Sequence, residues 1–193
     1  MRSDLTLGAW LAGAVVAHLV AASWAPGIGL PEIVQFYGVI LAYAVPAGLG
    51  LWLAGWLKPW QAAAFAALVV GAHAVAVVAA ISTTPTIGLS AVKMMRSGAL
   101  AGVLGACLSL FGLIALRGRP TRQAFALAAG FSPVLALCGL LLVPALDAPQ
   151  LPKQVALPLI LYLPWQIVFS VAVVLVARPS RSGVRPSPAP ATP

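Results

Sequence analysis

Six apolar runs, each long enough to cross a bilayer, leave this chain few ways to fold. They cover residues 5–23, 33–57, 60–82, 99–116, 124–146 and 155–177. A spanning helix needs ~20 mostly apolar residues. In hydrocarbon, only helices and closed barrels satisfy their own backbone donors and acceptors. The expected fold is therefore all-α: a polytopic domain over residues 1–178 with six transmembrane helices. Composition agrees, since 62% of residues are apolar and 7% charged, against roughly 45–50% and 25% in soluble domains.

The turns give the six runs an order. Ser23-Trp24-Ala25-Pro26-Gly27-Ile28-Gly29-Leu30 and Ser82-Thr83-Thr84-Pro85-Thr86-Ile87-Gly88-Leu89 share Ser, Pro, Ile, Gly and Leu at one spacing. A weaker echo, Ala148-Pro149-Gln150-Leu151-Pro152-Lys153, follows the fifth run. All three read as the outer turns of three successive helical hairpins. The repeat also argues that the first run is retained, although Ala21 and Ser23 would suit a signal-peptide cleavage site.

A net charge of +8 could suggest nucleic acid as a partner. The basic residues, however, lie in short clusters between apolar runs, the pattern that orients a membrane protein. Eight of the 11 Lys and Arg fall at the N-terminus, the second turn, the fourth turn and the tail: Arg2, Lys58, Arg117, Arg119, Arg122, Arg178, Arg181 and Arg185. Lys93, Arg96 and Lys153 occupy the other turns. This places both termini in the cytoplasm, the three repeat turns outside, and the chain in the cell membrane (cytoplasmic or inner). Lipid is the expected partner and nucleic acid is not. The Pro/Ser/Ala-rich, basic tail over 179–193 cannot bury a core and is expected to be disordered.

Local signals refine the spans. Pro46, Ser132-Pro133, Pro144, Pro158 and Pro164 lie inside apolar runs, where proline removes a donor and kinks the helix. Trp52, Trp56 and Trp60 approach Lys58 at four-residue intervals, as an interfacial belt does. The third run is rich in alanine, and Gly98-x3-Gly102 with Gly105 opens the fourth, so close helix contacts are expected. Thr84-Pro85 resembles a helix start, which predicts a short interfacial helix over 86–97 before the fourth span. Cys107 and Cys138 should sit at different depths, which disfavours a disulfide.

Chemistry has few groups to work with. Asp4, Glu32 and Asp147 lie outside the middle of every run, so a carboxylate relay is not expected. There is no zinc-type spacing and no phosphate-cradling glycine loop. No catalytic residue or metal ligand is assigned, and the balance leans away from an enzyme. Two histidines remain, His18 and His73, each 13 residues into its run and ~20 Å above the cytoplasmic side. Alignment of the repeat puts His18 opposite Val77, one turn from His73 on the same face. They can be read as haem ligands, as polar ligand contacts, or as neutral groups bonded across helices. Tyr43 beside Pro46, and Tyr162, Trp165 and Gln166 around Pro164, are the other mid-depth candidates. Kinked helices whose freed carbonyls face a cavity build many transporter sites.

About 190 residues in six spans, with a Pro/Gly-rich outer loop after the first, resembles the substrate-binding subunits of energy-coupling-factor vitamin transporters. The plan is also similar to small three-hairpin proteins of the acid-resistance type. No small-residue coupling motif or vitamin-binding residue stands in the chain, so the resemblance rests on size and span count. The expected function is a permease-like or small-ligand-binding membrane subunit, with His18, Tyr43, His73, Tyr162, Trp165 and Gln166 as candidate contacts. A structural or assembly subunit of a larger membrane complex, and a haem-binding redox protein using His18 and His73, are the alternatives.

Overall fold

The computed structural model describes residues 2–24, 31–83, 90–118, 120–148 and 150–178. They are helical throughout, without a strand among them, and six helices are long and apolar enough to span a membrane. The elements are α1 (Arg2–Trp24), α2 (Glu32–Leu53), α3 (Pro59–Thr83), α4 (Ala91–Arg117), α5 (Arg122–Gly139) and α6 (Leu142–Leu146). After them come α7 (Lys153–Ala156), a π-helical segment (Leu157–Tyr162) and α8 (Leu163–Ala177). Pro26 and Pro85 of the two repeat turns, and the tail, lie outside the described residues.

Neighbours in sequence pack side by side: α1 on α2, α2 on α3, α3 on α4, α4 on α5 and α5 on α8, with α8 also reaching α4 and α1. Leu7, Leu11, Tyr43, Phe65, Leu110, Leu113, Phe169 and Val173 form the shared core. Bulky apolar groups also cover the outside, among them Val16, Val20, Val78, Ile81 and Leu137. A soluble protein rarely shows such a continuous apolar surface. Helices apolar all round fit lipid on one side and protein on the other.

Hydrogen bonds gather four chain segments at one end of the bundle. Asp4 at the start of α1 pairs with Arg178 after α8, at 3.7 Å. Arg117, ending α4, donates to the carbonyls of Val176 and Arg178 at 3.2 and 3.4 Å. Gln61, in the first turn of α3, donates to the carbonyl of Leu116. The first described helix thus begins, and the last ends, on the same side, as an even number of spans requires.

The helix boundaries differ from the sequence expectation in four places. The second span ends at Leu53 rather than residue 57, because Gly55 adopts a left-handed φ of 75° and turns the chain. The amides of Trp56 and Leu57 then fold back onto the carbonyl of Leu51. The expected interfacial helix over 86–97 is not separate. Its described residues from Ala91 belong to α4, whose N-cap is Ser90, accepting from the amide of Lys93 at 3.3 Å.

The fifth span breaks at Leu140–Leu141. Pro144 has no N–H to offer the carbonyl of Leu140, one turn earlier. The chain tightens instead, with Leu140 and Leu141 donating to the carbonyls of Leu137 and Cys138. The sixth span widens: Leu163 donates to the carbonyl of Pro158, five residues back, ahead of Pro164. Pro164 can neither donate to the carbonyl of Ile160 nor sit close to it. A π turn gives that carbonyl room, so the kink expected there becomes an extra residue within the turn. Pro46 and Pro133, by contrast, lie within unbroken α2 and α5.

Two glycines set the closest helix contact. A Cβ on Gly98 would collide with the carbonyl of Gly139, and one on Gly139 with the carbonyl of Gly98. One turn along, a Cβ on Gly102 would meet the backbone of Leu135. The glycine spacing at the start of α4 therefore serves α5, immediately beside the break. Cys107 and Cys138 are both free thiols, and Cys107 donates instead to the hydroxyl of Ser132 at 3.3 Å.

Of the repeated octapeptides only the first two residues are described, and their serines behave alike. Ser23 donates to the carbonyl of Leu19 and Ser82 to that of Val78, each at 2.8 Å.

Candidate ligand cavity within the bundle

A cavity of about 280 Å³ lies among the helices, and all six spans contribute to its wall. The side chains singled out from the sequence converge on it: His18, Tyr43, His73, Tyr162, Trp165 and Gln166 all line it. Val77, the repeat partner of His18, lines it too. Among the described residues, no Asp, Glu, Lys or Arg belongs to the wall. The rest is apolar apart from Ser109, and Gly105 of α4 leaves room that a larger residue would fill.

His18 is 1% exposed on α1. Its Nδ1 donates to the carbonyl of Val39 on α2 at 2.9 Å. A carbonyl can only accept, so this bond puts the proton of the neutral ring on Nδ1 and leaves Nε2 an acceptor. That Nε2 is buried and has no donor opposite it. The ring stands edge-on to Tyr162, with centroids 5.2 Å apart, and to Tyr43, 6.4 Å apart. Tyr43 is 1% exposed, and its hydroxyl shares a hydrogen bond with Ser170 of α8 at 3.0 Å.

Gln166 presents a second acceptor without a partner, Oε1, and is 4% exposed. One turn earlier, Tyr162 closes the π segment, so the widened turn carries two wall residues directly, Leu161 and Tyr162. Trp165 stacks on Phe169 with centroids 4.8 Å apart and planes 19° from parallel. Phe169 also contacts Tyr43, at 5.9 Å, which joins α2 and α8 through aromatic rings. His73 is half-buried beside Phe36, with centroids 5.2 Å apart.

A buried acceptor left without a donor costs about 1–3 kcal/mol. Hydrogen bonds between membrane helices return on average only ~0.6 kcal/mol each. His18 makes one such bond and leaves one acceptor unmet, so stability alone does not account for it. Gln166, where an apolar residue would satisfy the helix equally well, is harder still to explain as structural glue.

The structure also adds residues that the sequence did not single out. The carbonyl of Val39 fixes the His18 tautomer, and Ser170 holds Tyr43. Ser109, buried on α4, lies on the same wall. Its only signal is a hydroxyl within an apolar run. No group of three or more His, Cys, Asp or Glu able to hold a metal occurs among the described residues. Comparison with protein-family models, with curated proteins and with solved structures finds no match in any of the three.

Proposed function

We propose that this is a multi-pass protein of the cytoplasmic membrane that binds a small uncharged molecule inside its helix bundle, as a permease-like or ligand-binding subunit. The observation that carries this reading is the cavity, whose wall holds two buried acceptors without donors. Its volume is close to the lower end of small-molecule sites, ~300–1,000 Å³. Three hairpins with both termini in the cytoplasm is the arrangement we adopt. In support, Arg117 and Arg178 meet at one end of the bundle, where Lys58 and Arg122 border helices that start there. Lys93 and Arg96 stand in the first turns of α4, at its opposite end. That asymmetry supports a cytoplasmic assignment of the former end.

One observation favours the second reading, a subunit of a larger membrane complex. Ala63, Ala67 and Gly71 form an exposed, four-residue-spaced stripe on α3, of the kind that seats another helix. Haem is the weaker alternative. His18 has the Nδ1-to-carbonyl bond that metal-bound histidines make, but the cavity is small for a macrocycle.

Purification in mild detergent, followed by mass spectrometry of protein and released small molecules, separates the three. A small molecule retained by the native chain and lost in Gln166→Ala supports the cavity reading. A stoichiometric partner protein with no retained molecule, and no stabilisation by any added apolar ligand, sinks it. A Soret band would replace it with the haem reading.

A further inference from the structure

The chemistry of the wall narrows the ligand class, on the assumption that the cavity is a binding site as argued above. We propose that the ligand is a flat, uncharged, mainly apolar molecule that donates hydrogen bonds, a hydroxylated or N–H-bearing aromatic.

Three observations carry this. First, the two fully buried wall atoms without a partner among the described residues are both acceptors. His18 Nε2 is an acceptor because Nδ1 already donates to Val39, and Gln166 Oε1 is an acceptor by nature. Both lack donors, so a complementary molecule must bring them. The hydroxyl of Tyr43 does not fill the role, being bonded to Ser170. Second, no charged side chain among the described residues lines the wall. An ionic ligand would therefore be buried in low dielectric without a counter-charge, which disfavours it strongly. Third, the wall is rich in rings. Tyr43, Tyr162, Trp165 and His73 supply aromatic faces or edges, and Gly105, beside Trp165, presents helix backbone without a side chain. Aromatic walls favour aromatic occupants through offset and edge contacts.

The test uses the full chain in mild detergent with tritiated 1-naphthol, against a detergent-only blank. Unlabelled 1-methoxynaphthalene, which has the same rings but no donor, and 1-naphthoate, which is charged, serve as competitors. Saturable binding of 1-naphthol is expected. The methyl ether should compete roughly ten-fold less well or worse, because it leaves the acceptors unmet, and the naphthoate should not compete. His18→Phe and Gln166→Leu should each lower 1-naphthol affinity toward that of the methyl ether. In both variants the methyl ether should bind at least as tightly as to the parent, because one acceptor fewer is left unmet, and that binding shows that the cavity has formed. Equal competition by 1-naphthol and its methyl ether overturns the donor assignment while the cavity reading survives. Unchanged 1-naphthol affinity in both variants overturns the role of His18 and Gln166. Absence of saturable binding by all three compounds overturns the ligand class and the cavity reading together.

Discussion

Leu163 donates its amide proton to the carbonyl of Pro158, five residues back rather than four. That one bond sets the register of everything before it in the sixth span, including Tyr162 on the cavity wall. It exists because Pro164 cannot tolerate the carbonyl of Ile160 in an ordinary helical turn.

Replacing Pro164 by alanine should therefore do more than relieve a kink. The restored N–H can bond Ile160, and the π turn can relax to α, rotating the preceding segment by about 100°. Tyr162 would then leave its edge-on place against His18. The expected outcome is a folded protein, at least as stable as the parent by thermal denaturation, that has lost retained ligand. Cysteine cross-linking from position 162 to α1 reads the rotation directly.

The Gly98–Gly139 contact predicts a large contrast between glycines. Gly98→Ala forces a Cβ into the backbone of α5 and should cost about 1–3 kcal/mol, the range for overpacking. Gly130→Ala meets nothing within 4 Å and should be neutral or stabilise by up to ~1 kcal/mol through helix propensity. Reversible unfolding in mixed micelles measures both. Similar values for the two would remove the close approach as a structural determinant.

Tyr43→Phe keeps the ring against Phe169 and removes the hydroxyl bonded to Ser170. The loss should be modest, ~0.6 kcal/mol on average for such interhelical bonds and under about 2. Ligand retention should persist, because that hydroxyl is already engaged within the protein. A loss of binding out of proportion to stability would show that Tyr43 contacts the ligand through its hydroxyl.

For topology, a reporter active only in the cytoplasm should work when fused after Lys58, Arg119 or Arg185, and fail after Thr86 or Gln150. The opposite pattern would invert the bundle and move the repeat turns inside.

How much of this could be read from the chain differs by residue. The six spans were legible because length and apolarity are properties of a run, independent of packing. The cavity residues stood out for a related reason: in hydrocarbon a histidine or glutamine is conspicuous, and its placement inside the bundle follows from desolvation. What surrounds them was not legible. Val39 contributes only its carbonyl, which every residue has, and Ser170 is one of many serines. Whether a proline kinks, breaks or widens a helix also depends on its neighbours. Pro46 and Pro133 are absorbed without interruption, Pro144 accompanies a break at Leu140, and Pro164 a π turn. Thr84-Pro85, a strong local signal, suggested a separate interfacial helix and lies outside the described residues, while Ser90 is a quieter signal. Among the described residues, Ser90 makes the cap.

The Gly98–Gly139 approach also restricts how this sequence can drift over generations. Most core contacts offer two routes to change, since a larger residue on one side can be met by a smaller one on the other. Here each partner is already the smallest residue there is, so no second substitution can compensate for the first. Either site can vary only if α4 and the end of α5 move apart, and both border the cavity. The two positions should therefore be frozen together for as long as the cavity keeps its shape, and should be released together in any descendant that has lost it.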